Sequence, residues 1–320
     1  MKLRLISLNA GLLKLLGRSL PTPFVPERLA ALPGQLRSLD CDLVLLQEVY
    51  GRIDRHWLAE SLLDVFPYPV YPEKKRRWGF ANGLMVLSRY EASGEVELFQ
   101  DAPLEEALFD SKGMLITQHR LPSDVTLTVV NVHTTAGGIL RHPENEVIDR
   151  IRRQQIEQVL ARAREFKSPL IIAGDLNAGP GVSQVNFRQI LDADFVSVHD
   201  LLHDGSREVT WDPKNLLNAT GPHKHCPPQR IDHIFIRSED FRRKTMTPLS
   251  SVICLDSPAV HIEGDHLVTV SDHYGICVEI DVSCEALSDG AYKERHFAPA
   301  NQNPSKVIAA IVQPDIQPLL

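Results

Sequence analysis

Short apolar or alternating stretches bounded by turn residues recur along the chain at 2–8, 42–47, 83–88, 113–119, 125–132, 168–174, 231–236, 249–255, 267–270 and 275–282. Each has the length of a strand, and several end on a polar signature. Between the first two lies PERLAALPGQLRSLD, where Leu29, Leu32, Leu36 and Leu39 keep helical spacing while Pro33 and Gly34 are expected to kink or divide the helix. The segment 144–166 is a cleaner helix, with Ile148, Ile151, Val159 and Ala163 along one face and Arg and Gln on the other. Many strands with occasional helices predict an α/β sandwich, two mainly antiparallel sheets with helices outside, in one domain over residues 1–284. Beyond Val282 the pattern dissolves, and 285–320, with four prolines and the short apolar run 307–312, is expected to be a C-terminal extension to which no chemistry is assigned.

Composition narrows the picture. A chain of 320 residues, 43% hydrophobic and 23% charged, can bury a large core. The opening MKLRLISLN has the basic residues and apolar run of a signal peptide, but it alternates in period two and is read as the first strand. The expectation is therefore a cytoplasmic monomer that is not secreted. No apolar run approaches the ~20 residues of a membrane helix. Five cysteines, odd in number and irregularly spaced, argue against a disulfide framework. A net charge of −7 gives no global footprint for nucleic acid. Lys74 to Arg77 form a local basic patch that suits either phosphate contacts or a solvated loop.

The chemistry sits at the strand ends, in SLNAG, LQEV, NVHTTAGG, GDLN, RIDHIF and SDHYG. Four carboxylates, Glu48, Asp175, Asp232 and Asp272, stand there with His133, His273, Asn9 and Asn177, an inventory suited to a hard divalent cation and phosphate-ester cleavage. Glu48 and Asn9 each follow an apolar strand, which supplies the rigid backbone that a ligand needs. Asp175 and Asn177 are two apart, so an extended continuation turns both to one face, to hold a metal or a nucleophilic water. In SDHYG the adjacent side chains diverge, so that Asp272 can join a metal cluster while His273 faces substrate as a base. Asp232 is a candidate to orient that imidazole, or else pairs with Arg230 or Arg237. His133 can stabilise phosphoryl charge or protonate a leaving group. His223, His225 and Cys226 are a further metal-type cluster, with a spacing that matches no zinc pattern.

In this order the motifs resemble the endonuclease/exonuclease/phosphatase superfamily over roughly residues 1–283, most specifically in GDLN and SDHYG. That resemblance implies a DNase-like, four-layer α/β sandwich. It also implies Mg²⁺, or Mn²⁺, bound by Glu48 with Asn9 nearby, and Asp272 in the metal cluster. Asp175 and Asn177 would engage the attacking water or a second metal, His273 would be the general base held by Asp232, and His133 would contact phosphate. His233 departs from the tyrosine that many members carry, which is expected to change packing more than chemistry. TWDPKNLLN (Thr210 to Asn218) is similar to a segment of the neutral sphingomyelinases. The expected substrate is thus a phospholipid head group, with nucleic acid or a phosphoinositide as the alternative. The apolar loop Gly11 to Pro26 would then either dip into a membrane surface as a peripheral contact or cover the open end of the core.

Overall fold

Both faces of the central strands are apolar, so each sheet must be covered twice, once by the other sheet and once by helices. The computed structural model describes residues 1–15, 18–72, 82–104, 106, 112–137, 145–221 and 223–283. The C-terminal extension, the basic patch at 74–77 and Gly138 lie outside these residues.

Fifteen strands are present among the described residues: β1 (Lys2–Asn9), β2 (Lys14–Leu15), β3 (Arg18–Ser19), β4 (Leu43–Gln47), β5 (Met85–Ser88), β6 (Ala92–Leu98), β7 (Gly113–Leu121), β8 (Val125–His133), β9 (Leu170–Asp175), β10 (Phe195–Ser197), β11 (Asp232–Arg237), β12 (Met246–Cys254), β13 (Val260–Ile262), β14 (His266–Val268) and β15 (Gly275–Val282). The helices are α1 (Val25–Ser38), α2 (Arg52–Ser61), α3 (Glu146–Ala163), α4 (Gln184–Asp192), α5 (Val198–Leu202) and α6 (Ser238–Arg242). One sheet of five strands runs β12-β15-β1-β4-β5 and the other, of six, runs β10-β11-β9-β8-β7-β6. Pairing is antiparallel except for β1 with β4 and β8 with β9.

Side-chain alternation builds the layers directly. On β1, Leu3 and Leu5 point between the sheets, where they meet Leu43, Leu45, Val129, Ile171 and Ile234. Ile6 and Leu8 point outward and are covered by Leu29, Leu32 and Leu36 of α1 and Leu58 of α2. The second sheet does the same with Val130, Val132 and Ile172 under Ile156, Val159 and Leu160 of α3. Helix α3 starts at Asn145, whose side-chain oxygen accepts from the Val147 N–H at 3.0 Å.

One expectation changes and one strand lies outside the expected runs. Helix α1 is one hydrogen-bonded element from Val25 to Ser38 with Pro33 inside it, not a divided pair. Leu29, Leu32 and Leu36, on both sides of Pro33, pack in one cluster with Ile6 and Leu8 of β1 and Val44 and Leu46 of β4, which keeps the element continuous despite the missing donor. Strand β6 escapes the sequence pattern because it is an edge strand, only half buried and carrying Glu95 and Glu97.

The core contains neutral histidines that set a pH dependence. His119 is buried, with Nδ1 3.0 Å from the Ser88 hydroxyl and Nε2 2.8 Å from that of Thr117. Burial lowers it to about 3. Burial likewise lowers His233 to about 3. The unfolded chain binds these protons near pH 6.5 and the folded chain does not, so stability should be full above that pH and decline as it falls from 6.5 toward 3. At pH 5 each group should cost on the order of 1–2 kcal/mol. Urea unfolding of His119→Gln should show a shallower loss of midpoint between pH 7.5 and 5 than the wild type. Parallel curves would refute this.

Candidate active site

The two parallel pairings bring the site together. Because β1 runs with β4 and β8 with β9, the C-terminal ends of four strands share one edge of the sandwich, with Asn9 opposite Gln47 and His133 opposite Asp175. Strand β11 runs antiparallel to β9, so its first residue, Asp232, lies opposite Asp175. Strand β15 runs antiparallel to β1 with Ile276 opposite Ser7, which carries the 271–273 turn beyond the end of β1 to the same edge.

All eight residues singled out in the sequence meet there or border it. Asn9 joins the sheets: its Nδ2 donates to Glu48 Oε1 at 3.2 Å and to Asp175 Oδ2 at 2.9 Å. Its side-chain oxygen, Oδ1, accepts the Gly11 N–H at 3.0 Å. Glu48 follows β4 with a positive φ of 59° and keeps its side chain 22% exposed. His273 Nδ1 lies 2.9 Å from Asp232 Oδ2, and its Nε2 points toward Asp175 Oδ2 at 4.0 Å. Asp232 is thus the partner of His273, and Arg230 pairs instead with Asp200. Asp232 is fully buried and its Oδ1 has no hydrogen-bond partner among the described residues. Asp175 Oδ1 accepts the Asn177 N–H at 2.8 Å, and Asn177 Nδ2 donates to the Thr134 carbonyl at 3.1 Å. Asp272 sits at the rim, where its Oδ2 accepts from the Thr22 hydroxyl at 2.9 Å. One oxygen or nitrogen each of Asp175, Asp232 and His273 lie within 4.8 Å of one another; Glu48 and Asp272 stand outside that group.

His133 is buried, with Nε2 3.5 Å from Asp175 Oδ2 and 3.7 Å from Glu48 Oε1. The Lys112 ammonium lies 2.6 Å from that nitrogen. Lys112 was not singled out in the sequence: it has no motif around it, and only the pairing of β7 with β8, which sets Gly113 opposite His133, brings it here.

The charge state follows from burial. Removal from water raises the Glu48 carboxyl to about 7, against the opposing pull of Lys112. Burial, with the Lys112 charge, holds His133 well below its ordinary value and keeps it neutral. Burial also disfavours the His273 imidazolium, but the Asp232 carboxylate beside it, aided by Asp175 and Asp272, outweighs this and raises the group.

Supporting residues come from two further stretches. Asn215 and Asn218 of TWDPKNLLN donate to the carbonyls of Ser271 at 3.0 Å and Asp272 at 2.9 Å. That stretch therefore holds the SDHYG turn in place. In the apolar loop after Asn9, Leu12 and Val25 are buried and Thr22 holds Asp272, while Leu20 is exposed. Leu12 and Val25 join the core with Phe24 packed against it, whereas Arg18, Pro21 and Pro26 are exposed like Leu20. Arg28 is buried and donates to the carbonyls of Ala10 (2.9 Å), Gly11 (2.6 Å), Pro23 (2.9 Å) and Val270 (3.3 Å), fastening this loop to the 271–273 turn. His233 faces away from the site, donating to the Ala178 carbonyl at 2.9 Å with its ring 4.8 Å from that of Phe187. Cys226 is buried beside Val182, Trp211 and Ile231, in an apolar cluster.

Comparison with known proteins agrees with this architecture. The sequence matches the model of the Endonuclease/Exonuclease/phosphatase family over residues 7–273. No curated protein matches it. The beta toxin of Staphylococcus aureus superposes with a TM-score of 0.68 at 17% identity, over 86% of this chain and 99% of the toxin. Sphingomyelinase C from Streptomyces griseocarneus gives 0.65 at 19% identity, over 87% of this chain and 99% of that one. D. rerio TDP2, solved with a single-strand DNA product, gives 0.63 at 21% identity, over 88% and 99%. At these identities the likeness is one of fold.

A Cβ on Gly11, where φ is 56°, would fall 2.1 Å from Asp272 Oδ1. Gly11→Ala should therefore displace Asp272 and lower stability by ~1–3 kcal/mol, from strain and lost contacts together. Thermal unfolding checks the second effect and a crystal structure of the variant the first; an unshifted Asp272 at wild-type stability would contradict both.

Proposed function

The chain belongs to the Endonuclease/Exonuclease/phosphatase family and is a metal-dependent phosphoric ester hydrolase, and on that premise we propose that it cleaves the phosphodiester of a phospholipid head group by in-line attack of water. The observation that carries this reading is the Asp232–His273 pair at 2.9 Å, aimed at Asp175 in the cleft that Asn9 shares with Glu48.

The donor set fits a hard divalent cation. Its groups are carboxylates, one buried oxygen of Asp232 lacks a partner, and burial has already raised Glu48 to about 7, as in a cluster short of positive charge. Glu48 and Asp175 would hold Mg²⁺, or Mn²⁺, with Asn9 and Asp272 beside them. When bound, such a cation offsets the carboxylate charge that otherwise keeps His273 protonated, polarises a phosphoryl oxygen and stabilises the leaving oxygen.

The remaining work falls to this chain's side chains. Asp232 accepts the His273 Nδ1–H, fixing the tautomer so that Nε2 takes a proton from the attacking water. Asp175 and Asn177 orient that water. The new P–O bond forms on the side opposite the leaving oxygen as the bond to that oxygen breaks; the leaving oxygen takes a proton from solvent, and His273 returns its own there. Lys112, rather than the neutral His133, supplies the charged donor toward the phosphoryl oxygens, and His133 holds the ammonium in line. A net charge of −7 supports a substrate with one phosphodiester over a long polyanion.

His273→Ala and Asp175→Ala should each lower kcat by ~10²–10⁴ with little change in KM, since both act chiefly in the transition state. Lys112→Met should lower kcat by ~10²–10³. Steady-state kinetics with Mg²⁺ checks these, and near-wild-type turnover in any of them would remove its assigned role. Phosphocholine release from sphingomyelin or phosphatidylcholine vesicles, set beside plasmid nicking and single-strand DNA cleavage, decides the substrate. EDTA should abolish the activity and Mg²⁺ restore it. Turnover of DNA alone would replace the lipid reading with a nuclease.

A further inference from the structure

A second cluster of ligand-type side chains lies away from the cleft. His199 projects from the short helix α5, His203 follows its end and Glu208 comes from the succeeding loop. One ligand atom of each lies within 4.8 Å of the others, and His199 Nε2 is 3.2 Å from Glu208 Oε2. The two imidazole rings have centroids 4.8 Å apart.

The remaining ring nitrogens are fixed by a single residue of β12. His203 Nε2–H donates to the Ser251 carbonyl at 2.7 Å, and His199 Nδ1 is 3.0 Å from the Ser251 hydroxyl. The first bond sets the His203 tautomer that leaves Nδ1 as a lone-pair donor. At the second contact the Ser251 hydroxyl can donate to or accept from Nδ1; metal binding takes the tautomer in which Nδ1–H donates to it and His199 Nε2, facing Glu208, offers its lone pair. Histidine ligands of metals are held in this manner, each tied through its distal N–H to a carbonyl or a polar side chain. Ser206 completes the lining, with its hydroxyl 3.2 Å from His199 Nε2 and donating to Glu208 Oε2 at 3.1 Å.

We infer that His199, His203 and Glu208 bind a zinc ion, with a water or the Ser206 hydroxyl as fourth ligand. Two imidazoles and a carboxylate are a zinc donor set, which Mg²⁺, with its preference for oxygen, does not favour. Ligands at the ordinary zinc distance of ~2.1 Å in a tetrahedron stand about 3.4 Å apart, so the cluster closes on the ion with small side-chain movements. Asp200 and Arg230 beside it are paired with each other and leave the Glu208 charge to the metal.

The ion would serve the catalytic edge without touching substrate. Two residues past Glu208, the Thr210 hydroxyl accepts the N–H groups of Ile231 and Asp232, each at 3.1 Å, and the Thr210 carbonyl accepts the Tyr274 N–H at 2.6 Å. Zinc therefore fastens the 203–211 segment to His199 of α5, which Ser251 of β12 already holds, and so braces the backbone that carries both Asp232 and His273.

The test uses the full chain, stripped by a chelator and kept in excess Mg²⁺. Added Co²⁺ should give the visible absorption of a four-coordinate site, one equivalent of Zn²⁺ should displace it, and Zn²⁺ should raise the Tm. His203→Asn and Glu208→Gln should weaken Zn²⁺ binding by about a hundredfold or more, and Ser251→Ala by about tenfold to a hundredfold. Asp175→Asn should leave the cobalt spectrum intact, which separates this site from the carboxylate cleft and from any substrate assignment. Absence of the cobalt bands in the folded wild type, or unaltered Zn²⁺ affinity in folded His203→Asn and Glu208→Gln, overturns the inference.

Discussion

One side-chain amide holds the two sheets' chemistry together. Asn9 ends a strand of the five-stranded sheet and donates through one nitrogen both to Glu48, on its own sheet, and to Asp175, on the other. Carboxylates brought together in a buried cleft repel one another and lose hydration, so each needs a donor or an opposite charge to remain. Asn9 serves two of them, the Asn177 N–H serves Asp175, His273 serves Asp232 and Thr22 serves Asp272. Loss of hydration, with the Asp272 charge nearby, still raises the Glu48 carboxyl against the pull of Lys112 and His273. A cation-requiring active site has this character: it is stable enough to fold and incomplete until charged.

Beneath Asn9 a second polar tie fixes the spacing of the sheets. Gln47 Nε2 donates to Asn131 Oδ1 at 2.7 Å across the interior, and Asn131 Nδ2 donates back to the carbonyls of Leu46 at 2.9 Å and Met85 at 3.2 Å. An apolar interface slides more easily than a hydrogen-bonded one, and an unpaired amide in this layer would cost several kcal/mol. The tie therefore holds the ends of β4 and β8 at a fixed offset. Arg28 does the same work outside the sandwich, where one guanidinium fastens the loop after Asn9 to the turn that carries Asp272.

The central strands are legible in the sequence because they are short apolar runs that end on polar residues. Strands β1, β4, β8, β9, β11 and β15 lie within two residues of the apolar runs at 2–8, 42–47, 125–132, 168–174, 231–236 and 275–282. Strand β6 and the short β10 were not legible, because an edge strand with one paired neighbour tolerates the polar residues that mark a loop. Of the site, the residues named from the motifs are those that gather at the strand ends. Lys112 gains its place only through the pairing of β7 with β8, and Arg28 through a set of carbonyls that includes Val270, 242 residues away; the His199 cluster is local in sequence but matches no spacing pattern, and only folding against Ser251 orients its rings. The TWDPKNLLN stretch was noticed for its likeness to other proteins, and the structure uses it to hold the 271–273 turn.

What the sequence determined by itself was the set of central strands, both faces apolar, and the polar residues placed where each of them must stop. Short apolar runs bounded by turn residues and the demand that buried backbone be paired leave little else for such a chain to form. Which strands run side by side was decided only in the tertiary structure. The parallel pairing of β1 with β4 and of β8 with β9 brings Asn9, Glu48, His133 and Asp175 to one edge, and it arises from long-range packing that no local pattern encodes. The charge states of Glu48, His133 and His273 were likewise settled there, because they depend on burial and on neighbours that meet only after folding.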